Sequence, residues 1–151
     1  QGEGGRIINT SSTSGLIGNF GQANYGAAKA GIAGFTRVLA LEGMKSGITV
    51  NTLAPAAFSR MTEDIMQEGQ AERFAPEKVS PVVVWLCTDE AKDVTGRQFC
   101  VGGNRISLLS WQVLVIGQHG PKDAPWTVDE VDTAMKASRE QWPRPLKPME
   151  V

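Results

Sequence analysis

STSGLIGNFGQANYGAAK, residues 12–29, sets a hydroxyl, a phenol and an amine at fixed spacings. Tyr25 and Lys29 are four residues apart in a run that predicts helix, so their side chains share one face. Ser12 lies thirteen residues before Tyr25, at the end of the apolar run RIINTS (residues 6–11). That run, bounded by Gly5 and a Thr/Ser cluster, predicts a buried parallel strand. The intervening loop carries Gly15, Gly18 and Gly21, suited to a turn close to a ligand. A strand end, a glycine-bearing loop and a helix then converge at one place, and open α/β sheets carry functional groups at the carboxyl ends of their strands.

These residue types suit ketone and alcohol chemistry. Hydride reduction of a ketone leaves charge on oxygen, and a positioned acid must supply a proton there. A phenol ordinarily titrates near pH 10, and a cation one helical turn away favours its ionised form. Lys29 is placed to be that cation. A serine hydroxyl can hydrogen-bond the substrate oxygen and hold it beside the phenol. Against this stands the plain alternative of a Tyr and a Lys on a solvated helix face. A bare Tyr-x-x-x-Lys pair cannot decide between the two; its company in the chain can.

The segments GRIINTSSTSG, QANYGAAKAGIAGFTRVLALE, GITVNTLAP and TGRQFCVGG resemble, in order and spacing, the short-chain dehydrogenase/reductase family. The resemblance runs from Gly5 to Gly103. It implies that Ser12, Tyr25 and Lys29 are catalytic, with Tyr25 and Lys29 also at the cofactor. The thirteen-residue spacing favours Ser12 over its neighbours Ser11 and Ser14. The wording GNFGQANYGAAKAG, with EGMKS, NTLAP, SRMT and VSPVVVWLC, is closest to the hydroxyacyl-CoA dehydrogenase part of peroxisomal multifunctional enzymes and to bacterial relatives. The implied fold is α/β: the C-terminal half of a Rossmann-type, doubly wound parallel sheet with a C-terminal strand/helix extension. Residues 1–103 would be that second half, and 104–151 an extension used for packing or oligomer contact.

A dinucleotide pyrophosphate sits on a glycine-rich turn between a first strand and a helix, and no such turn is present in these 151 residues. The working protein is therefore expected to include an N-terminal half or companion chain. The residue that selects NAD or NADP would belong to that half. Either nucleotide is compatible with the chain, with NAD favoured.

Further along, residues 24–42 predict a long helix whose small residues permit close helix packing; the resemblance puts this helix at a subunit interface, so a homo-oligomer is expected. Residues 49–53 predict a strand stopped by Ala54-Pro55. In the family the residues after this proline pass over the nicotinamide, which makes Pro55, Ala56, Phe58 and Ser59 cofactor-binding candidates. The chain departs from the family here, with Ala56 for the usual glycine and Arg60 where many members carry threonine. Residues 61–74 predict an amphipathic lid segment. Residues 76–88 predict a helix, 97–101 the last strand of the sheet, and 106–116 a strand or strand pair. Thr127-Val128-Asp129-Glu130 is a capping box, predicting a helix from Val128 to about Trp142, and a proline-rich tail follows.

A net charge of −1 gives no electrostatic case for nucleic acid or an anionic membrane surface. No apolar run reaches membrane-spanning length. Cys87 and Cys100 lie in apolar runs and predict buried free thiols rather than a disulfide or metal site. His119, the single histidine, falls in a turn-rich stretch and is expected to be exposed. The C-terminal MEV is not a peroxisomal address, so a cytoplasmic location is expected. The leading expectation is an NAD(P)-dependent oxidoreductase interconverting a secondary alcohol and a ketone, with a 3-hydroxyacyl-CoA/3-ketoacyl-CoA pair as substrate and a steroid or another small ketone next. The alternative is a non-enzymatic half-fold serving as scaffold or assembly partner.

Overall fold

A computed structural model describes residues 4–58, 70–120 and 124–147. Two compact units divide the chain: Gln1–Ser110 with Lys147–Val151, and Trp111–Leu146.

The first unit is built on one four-stranded sheet in the order β1-β2-β3-β4. β1 (Gly5–Thr10), β2 (Ile48–Ala56) and β3 (Gln98–Gly102) run parallel, and β4 (Arg105–Leu109) returns antiparallel. The parallel pairs need long crossovers. Between β1 and β2 lie the short helix α1 (Thr13–Leu16) and the long helix α2 (Ala23–Gly43). Between β2 and β3 lie α3 (Gln70–Arg73) and α4 (Ser80–Leu86). β3 and β4 need only a two-residue hairpin. Gly103 and Asn104, with φ of 57° and 63°, supply the paired left-handed residues of a type I′ turn.

Helices cover both faces of the sheet, as a doubly wound Rossmann-type fold requires. Asn9 is the register partner of Thr52 and donates from Nδ2 to Thr36 Oγ1 on α2 (2.9 Å), which places α2 on that face. Ala33, Thr36, Ala40 and Gly43 are the buried residues of α2, spaced at helical intervals along one side. A side chain at Gly43 would meet the Ile48 carbonyl at 3.0 Å, so the helix end lies close against the start of β2. Leu53 points to the other face and packs with Val82 and Leu86 of α4, with Ala91 and with Val101. Asn51 ties the β2–β3 crossover down. Its Nδ2 donates to the Val94 carbonyl at 2.7 Å, and its Oδ1 accepts from the Arg97 N–H at 3.0 Å.

Several elements differ from expectation. β1 is half-buried rather than buried, because among the described residues only its β2 side is paired. β2 continues through Pro55 instead of stopping before it. The Leu53 carbonyl accepts from Ser11 on the β1 side, whereas the Thr52 N–H donates to Arg97 on the β3 side. Alternation therefore aims the Pro55 nitrogen at the β1 side, beyond the last β1 pair (Thr10 with Leu53), where no ladder bond is lost. The helix expected over residues 76–88 is a 3-10 turn at Pro76–Lys78 followed by α4, with Pro81 in the first turn of α4. β3 is not the last strand of the sheet as expected, because the hairpin lays β4 along its outer side. The strand expected over residues 106–116 ends at Leu109, the partner of Gln98, where β3 begins and pairing runs out. Both thiols are free, but only Cys100 is buried; Cys87 caps α4 and is exposed. Burial pushes the Cys100 thiol above its ordinary range.

The second unit carries α5 (Val128–Ser138), begun by the expected capping box. The Glu130 N–H donates to Thr127 Oγ1 at 3.3 Å, and the Thr127 N–H donates to Glu130 Oε2 at 2.8 Å. A 3-10 turn, Arg139–Gln141, completes the predicted helical run. The Trp142 indole donates to Ser138 Oγ at 3.0 Å and folds the chain back on the helix.

Candidate active site at the carboxyl edge

Parallel pairing sets the ends of β1 and β2 side by side. Ser11 follows β1 directly, and its N–H donates to the Leu53 carbonyl at 2.7 Å. Ser12 is the N-cap of α1. Its Oγ accepts from the Ser14 N–H at 3.2 Å, which uses a lone pair and leaves the O–H to donate elsewhere. α2 begins at Ala23, so Tyr25 stands in its first turn and Lys29 one turn on. The Lys29 ammonium donates to the Thr10 carbonyl at 3.1 Å and lies 5.7 Å from the centre of the Tyr25 ring, within reach of a cation–π attraction. Tyr25 is 40% exposed. The fold thus brings Tyr25 and Lys29 together, with Lys29 held at the strand end that Ser12 follows two residues later.

The loop between Ser12 and Tyr25 is internally bonded. Ser14 Oγ and Asn19 Nδ2 both donate to Gln22 Oε1, at 2.6 and 3.1 Å. Gly18 and Gly21 have φ of 113° and 79°, and between them Phe20 projects fully into solvent. The glycines alone mark this loop in the sequence; the exposed aromatic residue between them is a further feature of the same stretch.

Pro55 and Ala56 are exposed at the carboxyl end of β2. Phe58 is half-buried, and its N–H is occupied by the Phe74 carbonyl at 2.7 Å. Ser59, Arg60 and the expected lid up to residue 69 lie outside the described residues. Pro55 and Ala57 share an apolar pocket of about 360 Å³ with Pro76, Val79, Ser80, Val83 and Val84. The phenol and the lysine ammonium, at the end of β1, are residue types able to meet a nicotinamide ribose, and the apolar recess opens at the end of β2. The described residues provide no glycine-rich cradle for a dinucleotide pyrophosphate.

Elsewhere, His119 lies in a loop as expected but is half-buried rather than exposed. Its ring stacks on Trp126 (3.9 Å between centres, 9° between planes), and Nδ1 lies 3.0 Å from the Ala124 carbonyl. Among the described residues no cluster of His, Cys, Asp and Glu is arranged to hold a metal, and no helix is long and apolar enough to cross a membrane.

Residues 1–72 match the family model described as short chain dehydrogenase. The peroxisomal hydratase-dehydrogenase-epimerase of Neurospora crassa is 49% identical over 129 residues, covering 84% of this chain and 14% of the relative. The acetoacetyl-CoA reductase of an Acinetobacter species is 41% identical over 109 residues, covering 66% of this chain and 44% of the relative. The crystal structure of a short chain dehydrogenase from Mycobacterium avium superimposes with a TM-score of 0.73 at 45% identity, covering 93% of this chain and 47% of that one. The chain therefore spans less than half the length of each of these relatives. Sequence and fold agree, and the chain belongs to the short-chain dehydrogenase/reductase family.

Proposed function

We propose that this chain carries the catalytic half of an NAD(P)-dependent oxidoreductase acting on a secondary alcohol or ketone. The observation that carries the reading is the Lys29 ammonium, held at the Thr10 carbonyl and beside the Tyr25 ring at the carboxyl edge of the sheet. A bound nicotinamide dinucleotide supplies or accepts the hydride. In the reducing direction the Ser12 O–H donates to the substrate carbonyl oxygen and fixes its position. Tyr25 passes its phenolic proton to that oxygen as charge develops there. The resulting phenolate is stabilised by the adjacent Lys29 ammonium. Lys29, Tyr25 and the Pro55–Phe58 exit of β2 would hold the nicotinamide and its ribose. Ser59 remains a candidate by sequence alone.

For the substrate we propose a 3-hydroxyacyl-CoA/3-ketoacyl-CoA pair, supported by similarity to a relative named acetoacetyl-CoA reductase and by the apolar pocket beside Pro55. The chain would act with a dinucleotide-binding half, with residues 1–103 completing that domain and 104–151 serving as an extension. Coverage of 93% of the chain by the Mycobacterium avium structure supports treating the extension as part of the same protein type. Self-association through α2 is also proposed, because Phe35, Val38 and Leu41 are exposed while Ala33, Thr36 and Ala40 are buried. For location, the cytoplasmic expectation competes with a peroxisomal one taken from the name of the Neurospora relative; imaging of a tagged protein decides between them.

The test is Tyr25→Phe in the assembled enzyme, with a 3-ketoacyl-CoA substrate and either nucleotide. Turnover should fall by at least about 10²-fold, the range for loss of a general acid. Thermal stability should be unchanged, because Tyr25 is exposed and phenylalanine keeps the backbone N–H that donates to Asn24 Oδ1. Near-normal turnover would overturn the assignment.

A further inference from the structure

We infer that Ser11, the residue beside the expected catalytic serine, is a positioning residue that fixes Lys29 from the backbone side. The inference rests on the proposed role of Lys29.

Two hydrogen bonds run in opposite directions between the end of β1 and the second turn of α2. Ser11 Oγ donates to the Lys29 carbonyl at 2.7 Å, and Lys29 Nζ donates to the Thr10 carbonyl at 3.1 Å. One residue's side chain holds the other's backbone, and the reverse bond comes from the adjacent position. Ser11 is only 2% exposed, so its bond is made out of water, where a donor without a partner is costly. Its own N–H is anchored to Leu53 of the central strand. The clamp therefore ties α2 to the buried middle of the sheet and not merely to an edge.

A third contact comes from α1. A side chain at Gly15 would meet the Ala30 nitrogen at 2.5 Å and the Lys29 carbonyl carbon and Cβ at 2.6 Å. The backbone of α1 thus lies directly on Lys29 and Ala30, opposing any movement of α2 toward it. With Ser11 holding from the strand and Gly15 from α1, the helix has one axial position and one rotation at Lys29. The reach of Nζ to Thr10, and its distance to the Tyr25 ring, depend on both. Ser12 follows Ser11 in the chain, so the same clamp sets Ser12 against Lys29. A shift of about 1 Å in such an arrangement costs up to roughly 10²-fold in rate.

The test compares Ser11→Ala, which removes the donor, with Ser11→Thr, which keeps it. Both are made in the assembled protein. The first readout is the rate at which Lys29 is acylated by an amine reagent, followed by peptide mass spectrometry with exposed Lys45 as internal control. The second is kcat and KM for a 3-ketoacyl-CoA. In Ser11→Ala, Lys29 acylation should rise severalfold while Lys45 is unchanged. There kcat should fall roughly tenfold or more with KM near its starting value, and Ser11→Thr should restore both. A purely structural role would lower stability and leave the labelling ratio and kcat of the folded fraction alone; that result overturns the inference. Should Ser11→Ala fail to fold, Ser11→Cys, with only a weak donor, gives the same comparison. If labelling responds as expected but no variant, including the parent, reduces the substrate, the clamp stands and the proposed activity falls. If the parent turns over and Ser11→Ala matches it in labelling and kcat, the clamp falls and the activity stands.

Discussion

The two units of this chain hold themselves together in different ways. In the first, strand register, helix faces and buried polar side chains converge: Leu53, Val82, Leu86 and Val101 share one core, while Asn51 and Thr36 are satisfied at depth. In the second, Ser138 is the only fully buried residue among those described, and the structure rests on local bonds: a capping box, an indole–serine bond and a His119–Trp126 stack. The apolar run after β4 shows the same contrast, with Val113 92% exposed. A shared core makes a site rigid, whereas local bonds only make a helix. The candidate catalytic groups lie in the unit that has the core.

Truncations should break the comparison most sharply if it is wrong. Leu86→Ala should cost about 3 kcal/mol of unfolding free energy, since it leaves a cavity in the core of the first unit. The equivalent truncation Val113→Ala in the second unit should stay within about 0.5 kcal/mol. Denaturant titration measures both, and equal effects would erase the distinction. Next in size, Asn51→Ala should cost about 2–3 kcal/mol, because it strands the Val94 carbonyl and the Arg97 N–H. Amide exchange should show the loss at the start of β3. Smaller still, Thr127→Ala should cost about 1 kcal/mol, confined to α5, as expected for a lost N-cap.

A pH titration sharpens the last point. The Thr127 N–H, then the Thr127 hydroxyl, hold the Glu130 carboxyl below its ordinary range. A folded-state pKa depressed in this way contributes stability that is present above the unfolded value and lost as pH falls through the folded one. The amides of the first turn of α5 should therefore lose exchange protection on acidification below the usual carboxylate range. Thr127→Ala, which keeps the backbone N–H and loses the hydroxyl, should weaken that pH dependence, and Glu130→Gln should remove it.

Much of this was legible in advance where a local rule suffices. The apolar run ending at Ser11, the helical period of α2 and the capping box each signal themselves within a dozen residues. Ser12, Tyr25 and Lys29 are singled out by the family resemblance that their company in the chain carries, not by the bare Tyr-x-x-x-Lys spacing. What escaped depended on elements meeting in space. Pro55 looks like a strand terminator until the end of β1 is known, since only then is its missing N–H seen to face no ladder partner. Cys87 sits in an apolar run, but the short α4 turns it outward. Spacing to Tyr25 sets Ser12 apart, but nothing in sequence gives its neighbour Ser11 a role of its own. Its role exists only because α2 crosses the end of β1 at Lys29.

The type I′ turn at Gly103-Asn104 also bears on the order of assembly. It joins β3 to β4 through two residues, a closure of the kind that takes about 1–10 μs. The pairs β1–β2 and β2–β3 cannot form until the chain between them has been gathered into its crossover, and such long-range closures are slow. A lone hairpin is barely stable in water. The hairpin is thus a template that forms early and persists only once β2 is laid along it. Refolding should show no lasting protection of the β3–β4 amides until those of β2 are protected with them.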